Sequence, residues 1–309
     1  MDKLKYYIKF FVLVLLMISS FNTIVNAQQG IQYTQYMYDG SLINPAYAGA
    51  DEALSISFLH RDQWSGLEGA PQSQTFSVHT PFKNPRLGTG IFIHRESIGV
   101  HQNVQLATNL AYHLPLGNRR YLSFGLKAGM LNVRSDYQSL QNGNPDPSIN
   151  DALFSGTDFN AGFGFYYRSN KLEAGYSIPS IINRTINVND TLSLDPINLN
   201  HLLFSQYHIP LGNNFILSPG FLLKYFQGTP LSYDLNFLTT FKSVLTAGVS
   251  YRKQESVDFL IRFNLTPQFQ VAYAYDFPIG NVSRFAQASN EIMLRYIFKF
   301  KYDNVNSPQ

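Results

Sequence analysis

The chain has no cysteine, which excludes a disulfide framework and any thiolate-held metal. Charge is scarce as well, at 14% of residues against about 25% in ordinary soluble domains. The patterns of common catalysts are missing. There is no GxSxG, HExxH or P-loop, and Gly88-Thr-Gly90 lacks the third glycine of a dinucleotide fingerprint. The 7 histidines are scattered without a recognised ligand spacing, so neither metal nor cofactor is expected. Beyond residue 27 no apolar run approaches the ~20 residues of a membrane helix.

What the chain does have begins with Lys3, Lys5 and Lys9, followed by the apolar run Phe10 to Ile18 and a polar stretch closing on Val25-Asn26-Ala27. A basic start, a short apolar run and small residues before a cut are the parts of a secretory signal peptide. Cleavage is expected after Ala27, with an uncleaved anchor as the alternative. Removing residues 1–27 leaves 20 basic and 19 acidic side chains, so no basic field points to nucleic acid.

Aromatic residues are abundant (25 Phe and 20 Tyr, with one Trp) and interleaved with polar ones. Successive side chains of a strand face opposite ways, so alternation is the signal to follow. In Thr157–Arg168, Phe159, Ala161, Phe163, Phe165 and Tyr167 oppose Asp158, Asn160, Gly162, Gly164 and Arg168. Val104, Leu106, Leu110 and Tyr112 likewise oppose Gln105, Ala107, Asn109 and His113, and Val257, Phe259, Ile261 and Phe263 oppose Asp258, Arg262 and Asn264. One face suits lipid and the other a polar interior. The fold class is therefore all-β, an antiparallel transmembrane β-barrel of the outer membrane with about 14 strands, between 12 and 16. A secreted soluble sandwich is the competitor. Residues 28–52 form an N-terminal segment, periplasmic or lumenal; 53–302 form the barrel and 303–309 a tail.

The connections test this reading, because membrane barrels have short periplasmic turns and longer outer loops. With the N-terminus periplasmic, the tight links at 115–119, 169–170, 210–214, 242–243 and 265–267 all fall on the periplasmic side. The long links at 134–156, 182–200 and 280–290 all fall opposite. An echoed phrase, Tyr112-His-Leu-Pro-Leu-Gly-Asn118, Tyr207-His-Ile-Pro-Leu-Gly-Asn213 and Tyr275-Asp-Phe-Pro-Ile-Gly-Asn281, breaks the parity in its third copy. Either the strand count slips or the phrase is turn chemistry, which its Pro, Gly and Asn favour. In the final run, from Glu291 to Tyr302, Ile292, Leu294, Tyr296, Phe298, Phe300 and Tyr302 share one face, as suits a strand closing the ring.

Two segments look unlike barrel wall: Gln32–Gly49, built around Asn44-Pro45, and Arg61–Gln74, which holds Trp64. The second is read either as a recognition loop or as a salt-bridged loop of Arg61, Asp62 and Glu68 with Trp64 folded into the lumen. Gln35-Tyr-Met-Tyr38, Leu42-Ile-Asn-Pro-Ala-Tyr-Ala-Gly49 and Arg61-Asp-Gln-Trp64, with Gly66, Glu68-Gly-Ala-Pro71 and Gln74, resemble the opening signature of the PorP/SprF family of Bacteroidetes. The likeness extends more loosely to the C-terminus.

That resemblance implies an outer-membrane barrel of the type IX secretion system, a machinery that exports surface adhesins and proteases and supports gliding motility. It implies partners among the system's components, a secreted cargo protein and, for some members, a periplasmic peptidoglycan-binding protein. It supplies no catalytic residues. The residues expected to bind a partner are Tyr36, Asn44, Pro45, Tyr47, Arg61, Asp62, Gln63, Trp64 and Glu68. Rival readings are a porin tuned by Asp158, Arg168, Glu173, Asp258 and Arg262, and a rim hydrolase using His60 and Asp62.

Overall fold

The computed structural model describes residues 32–137, 153–181, 186–187, 193–194, 199–226, 229–280 and 282–298. The expected signal peptide, the expected tail and most of the two longest connections lie outside the described residues. Fourteen strands form one ring: β1 Leu54–Asp62, β2 Gln72–Pro81, β3 Leu87–Ile98, β4 His101–Pro115, β5 Tyr121–Asp136, β6 Leu153–Arg168, β7 Leu172–Ile178, β8 Asn200–Tyr207 with its short continuation Ile209–Leu211, β9 Phe215–Phe226, β10 Ser232–Phe241, β11 Leu245–Arg252, β12 Ser256–Asn264, β13 Phe269–Pro278 and β14 Ser289–Phe298. Every neighbouring pair is antiparallel, and β1 closes on β14 from Leu54 opposite Phe298 to Asp62 opposite Asn290. Closure leaves no open edge in the hydrocarbon layer, where an unpaired backbone would cost several kcal/mol per group.

Alternation sets the two faces as expected. Leu106 and Leu110 are 53% and 57% exposed, while Gln105, Ala107 and Asn109 between and beside them are buried. The same division holds for Phe159 and Phe165 against Asn160. All long connections lie at one end of the ring, the outer end. That end also carries two tight turns, at 99–100 and 253–255, which hold their strands together with little protruding. The echoed phrase is turn chemistry: Gly117, Asn118, Gly212 and Gly280 all have positive φ, and the third copy ends β13 at the outer end without any slip in strand order.

Residues 32–52 run through the inside of the ring. They form three 3-10 turns, Tyr36–Tyr38, Gly40–Leu42 and Pro45–Tyr47. The second is capped by the Asp39 carboxylate, which accepts from Ser41 N; the third by Asn44, which accepts from Ala46 N, with Pro45 at the first position. Gln32 meets Glu255 and Arg252 at the outer end, and Glu52 meets Arg168 near the opposite end. The chain thus descends the lumen before β1 climbs back.

That descent gives a testable result, made simple by the absence of native cysteine. A cysteine at Gln32 should be labelled on intact cells by a membrane-impermeant maleimide. One at Asn214, in the turn at the other end, should stay unlabelled until the outer membrane is breached. The reverse pattern would invert the orientation.

Candidate functional site

A short segment inside a barrel has few backbone hydrogen bonds of its own, and each group it leaves unpaired must find a partner in the wall. The inward polar residues meet that demand. Glu291 accepts from the backbone N–H of Thr34 at 3.0 Å and of Gln35 at 2.8 Å, and Gln35 Nε2 donates back to the Glu291 carbonyl. Lower down, Ser177 donates to Ile43 O at 2.6 Å, His113 Nε2 to Ala48 O at 3.0 Å, and Gly49 N to His79 Nδ1 at 3.2 Å. Arg295 donates to Tyr38 O and Arg168 to Ala50 O. Asn44 Nδ2 reaches Phe165 O in β6 at 2.8 Å.

Charges assemble in two groups around the segment. Near the outer end, Arg61 lies 2.7 Å from Asp276 and 3.3 Å from Glu291. Arg252 stands 3.4 to 3.8 Å from Asp234, Glu255, Asp276 and Asp258, and Lys224 pairs with Asp234 at 2.9 Å. Thr34 ties the segment into this group by donating to Asp276 and accepting from Arg61 and Arg252. In the second group Arg295 pairs with Asp51, and His79 lies 3.4 Å from Asp51 and 3.7 Å from Asp39. The Asp39 carboxylate also accepts from the Ser41 and Ser57 hydroxyls.

Between the charged groups the lumen is filled by Tyr33, Tyr36, Tyr38, Leu42 and Ile43 packed on Leu59, Phe92, Tyr166, Leu238, Leu260 and Met293. Three wall glycines allow the closest approach, and a Cβ at Gly88 would sit 2.0 Å from Ala48 O. A Cβ at Gly125 would sit 2.1 Å from Ala46 N, and one at Gly164 would sit 2.1 Å from Asn44 Oδ1. We expect Gly125→Val to push the third turn off the wall and lower stability by about 1–3 kcal/mol, an overpacking cost, measured by urea unfolding in detergent. An unchanged midpoint would show that the turn is loosely held.

At the outer rim, the loop between β1 and β2 is laced to its neighbours. Trp64 N donates to Ser289 Oγ, Ser65 N to Ala288 O and Gly99 N to Gly69 O. It borders an open cleft of about 520 Å³ lined by Asp62, Gln63, Leu67, Gln72 and Ser97 among others. Leu67 is exposed and Phe285, on the β13–β14 loop, is 79% exposed.

The nine residues expected to bind a partner fall into two places. Tyr36, Asn44 and Pro45 are buried in the lumen and Tyr47 is half-buried there; Tyr36 accepts a hydrogen bond from Asn236, and Tyr47 donates to Asp51. Arg61 is buried with them. Asp62, Gln63 and Trp64 are half-buried at the rim and Glu68 is exposed. The salt-bridged loop is not formed among the described residues, because Arg61 turns inward to Asp276 and Glu291 while Asp62 pairs with His60 at 3.0 Å. Sequence reading missed Asp39, His79, Asp234, Asp276, Glu291 and Arg295. The signal was available in the strand phase, since all but Asp39 share the inward parity of their strands.

Of the porin-tuning set, Arg168 pairs with Glu52, Glu173 accepts from Tyr166, Asp258 is fully buried and Arg262 lies over the Tyr38 ring. They brace the inserted segment or its wall. The fold and its occupied lumen define an outer-membrane β-barrel that holds its own N-terminal segment inside. Residues 25–296 match the type IX secretion system membrane protein family PorP/SprF, and the chain belongs to that family. It therefore resides in the outer membrane, with partners among the type IX secretion components. Among solved structures, the CymD monoaromatic hydrocarbon channel is similar at 12% identity and TM-score 0.51, covering 90% of this chain and 95% of its own. Omp33 of Acinetobacter baumannii is similar at 9% identity and TM-score 0.46, covering 81% and 98%. Outer membrane phospholipase A of Escherichia coli is similar at 12% identity and TM-score 0.41, covering 84% and 100%. No curated protein matches the sequence.

Proposed function

We propose that the barrel is a non-enzymatic accessory of type IX secretion whose outer loops receive a secreted cargo protein, such as a surface adhesin of gliding motility, and assist its export or attachment. The observation that carries this reading is the filled lumen in a chain of this family: a barrel whose interior is bonded to its own segment from Thr34 to Ala50 offers surfaces to partners and no conduit to solutes. Asp62, Gln63, Trp64 and Glu68 are the rim residues proposed to meet cargo. Tyr36, Asn44, Pro45, Tyr47 and Arg61 serve by holding the seal. The short-turn end faces the periplasm, where a peptidoglycan-binding partner would attach. A rim hydrolase is disfavoured because both ring nitrogens of His60 are engaged, one by Asp62 and the other by Gln74, leaving none for a hydroxyl nucleophile.

Deleting the gene should leave one specific surface protein unexported or released to the medium. Trp64→Ala, or Asp62→Ala with Glu68→Ala, should reduce cargo co-purification without altering barrel folding. If every type IX substrate reaches the surface normally in the deletion strain, the reading fails.

A further inference from the structure

The short-turn end of the ring does not share the chain's near balance of charge. Three consecutive turns there, between β2 and β3, β4 and β5, and β6 and β7, carry Lys83 and Arg86, Arg119 and Arg120, and Lys171, all exposed, and no acidic residue. Among the described residues none of the five forms an ion pair. The carboxylates of that end are engaged elsewhere: Asp51 by Arg295, Glu52 by Arg168 and Glu173 by Tyr166. The other described turns of the same end, at 212–214, 242–244 and 265–268, hold one charge, Lys242. At the outer end the signs mix, with Glu68, Arg95 beside Glu96, and Arg134 near Asp136. Neighbouring strands lie about 4.8 Å apart, so successive turns stand about 10 Å apart and the five cations form an arc about 20 Å long on one side of the ring.

The depth of the arc identifies what it meets. Phe82 and Leu87 continue the lipid-facing lines of Phe76 and Ile91, and they bracket Lys83 and Arg86. Leu114 and Leu116 continue the line of Leu110 and lead directly into Arg119. The cations therefore begin where the side chains bathed in hydrocarbon stop, and long basic side chains at that level carry their charge to the headgroups. We propose that the arc gathers phospholipids of net negative headgroup charge in the leaflet it borders, the inner one in the orientation argued above, with their phosphates facing the cations of neighbouring turns. A protein with an acidic face is the rival occupant. Such a face would have to descend onto turns that barely clear the lipid, whereas phosphates already lie at that depth and attract each nearby Lys or Arg.

The test reconstitutes the full-length protein in vesicles of equal phosphatidylglycerol and phosphatidylcholine, extracts it in mild detergent, and counts the retained lipids by native mass spectrometry. Phosphatidylglycerol should be enriched at least about fivefold, the factor that one cation near an anionic surface supplies, and high salt during extraction should reduce the enrichment. A variant combining Lys83→Gln, Arg86→Gln, Arg119→Gln, Arg120→Gln and Lys171→Gln should retain the two lipids about equally, while Lys242→Gln, outside the arc, should keep the preference. Heat-modifiable migration on gels checks that each variant is folded. Should the combined variant misfold, Arg119→Gln with Arg120→Gln removes the centre of the arc and should lower the enrichment by itself. Equal retention of both lipids by the unmutated protein, or enrichment unchanged in the folded variants, would overturn the proposal. If a variant with unchanged enrichment also loses an acidic protein from native-membrane pull-downs, the arc belongs to that protein instead.

Discussion

A variant lacking residues 32–50 will conduct ions in planar bilayers where the intact barrel is silent. The width of the ring decides this. Eight strands enclose a space that side chains can fill, whereas sixteen leave an aqueous channel. Fourteen strands lie close to the second case, so this lumen is closed only because a separate stretch of chain occupies it. That stretch contributes Tyr33, Tyr36, Tyr38, Leu42 and Ile43 to the apolar centre, and its removal exposes wall charges that now face it. The ring itself should survive, because each strand pairs with both neighbours and β1 closes on β14 without help from the insert. Heat-modifiable migration on gels would confirm folding before conductance is measured. Currents of similar size with and without the segment would mean that the seal leaks, and would restore the porin reading. Silence in both would mean that the outer loops close the barrel.

The strands were legible in the sequence because their cause is local. A period of two needs only neighbours along the chain, and lipid on one side with polar groups on the other writes it plainly in Phe159 to Tyr167 or Val104 to His113. Turn ends were legible for the same reason, through Pro, Gly and Asn. The inserted segment was visible only as something unlike wall. Its short 3-10 turns have no period to read, and what fixes them is distant: Thr34 and Glu291 are 257 residues apart. A single position also mattered. Taking Arg61 as the start of a loop left it with Asp62 and Glu68, but β1 continues through Asp62, and in a strand the next residue faces the other way. That parity sends Arg61 inward and Asp62 outward, dividing the proposed recognition residues between a seal and a rim.

Arg252→Met should be among the most destabilising single changes in the protein, costing about 3–5 kcal/mol, because it leaves a buried charge without its partner. The four carboxylates around Arg252 are not equally dependent on it. Asp234 retains Lys224 at 2.9 Å, Asp276 retains Arg61 at 2.7 Å, and Glu255 is less deeply buried. Among the described residues Asp258 has only the Ser256 hydroxyl besides, at 2.5 Å, with no hydrogen bond to its other oxygen. The penalty should therefore sit mainly on Asp258, and a double-mutant cycle will show it. Arg252→Met with Asp258→Asn should recover much of the loss, whereas Arg252→Met with Asp234→Asn should recover little and strand Lys224. Glu52→Ala, which breaks only the exposed pair with Arg168, should cost no more than about 1 kcal/mol. Arg252 also donates to Thr34 and Gln32, so the variant should loosen the outer end of the seal and raise maleimide labelling of a cysteine placed at Thr34. If Asp258→Asn restores stability but not that protection, the charge balance and the seal are separate roles of one side chain. If it restores both, Arg252 holds the segment only by keeping the wall around it in order.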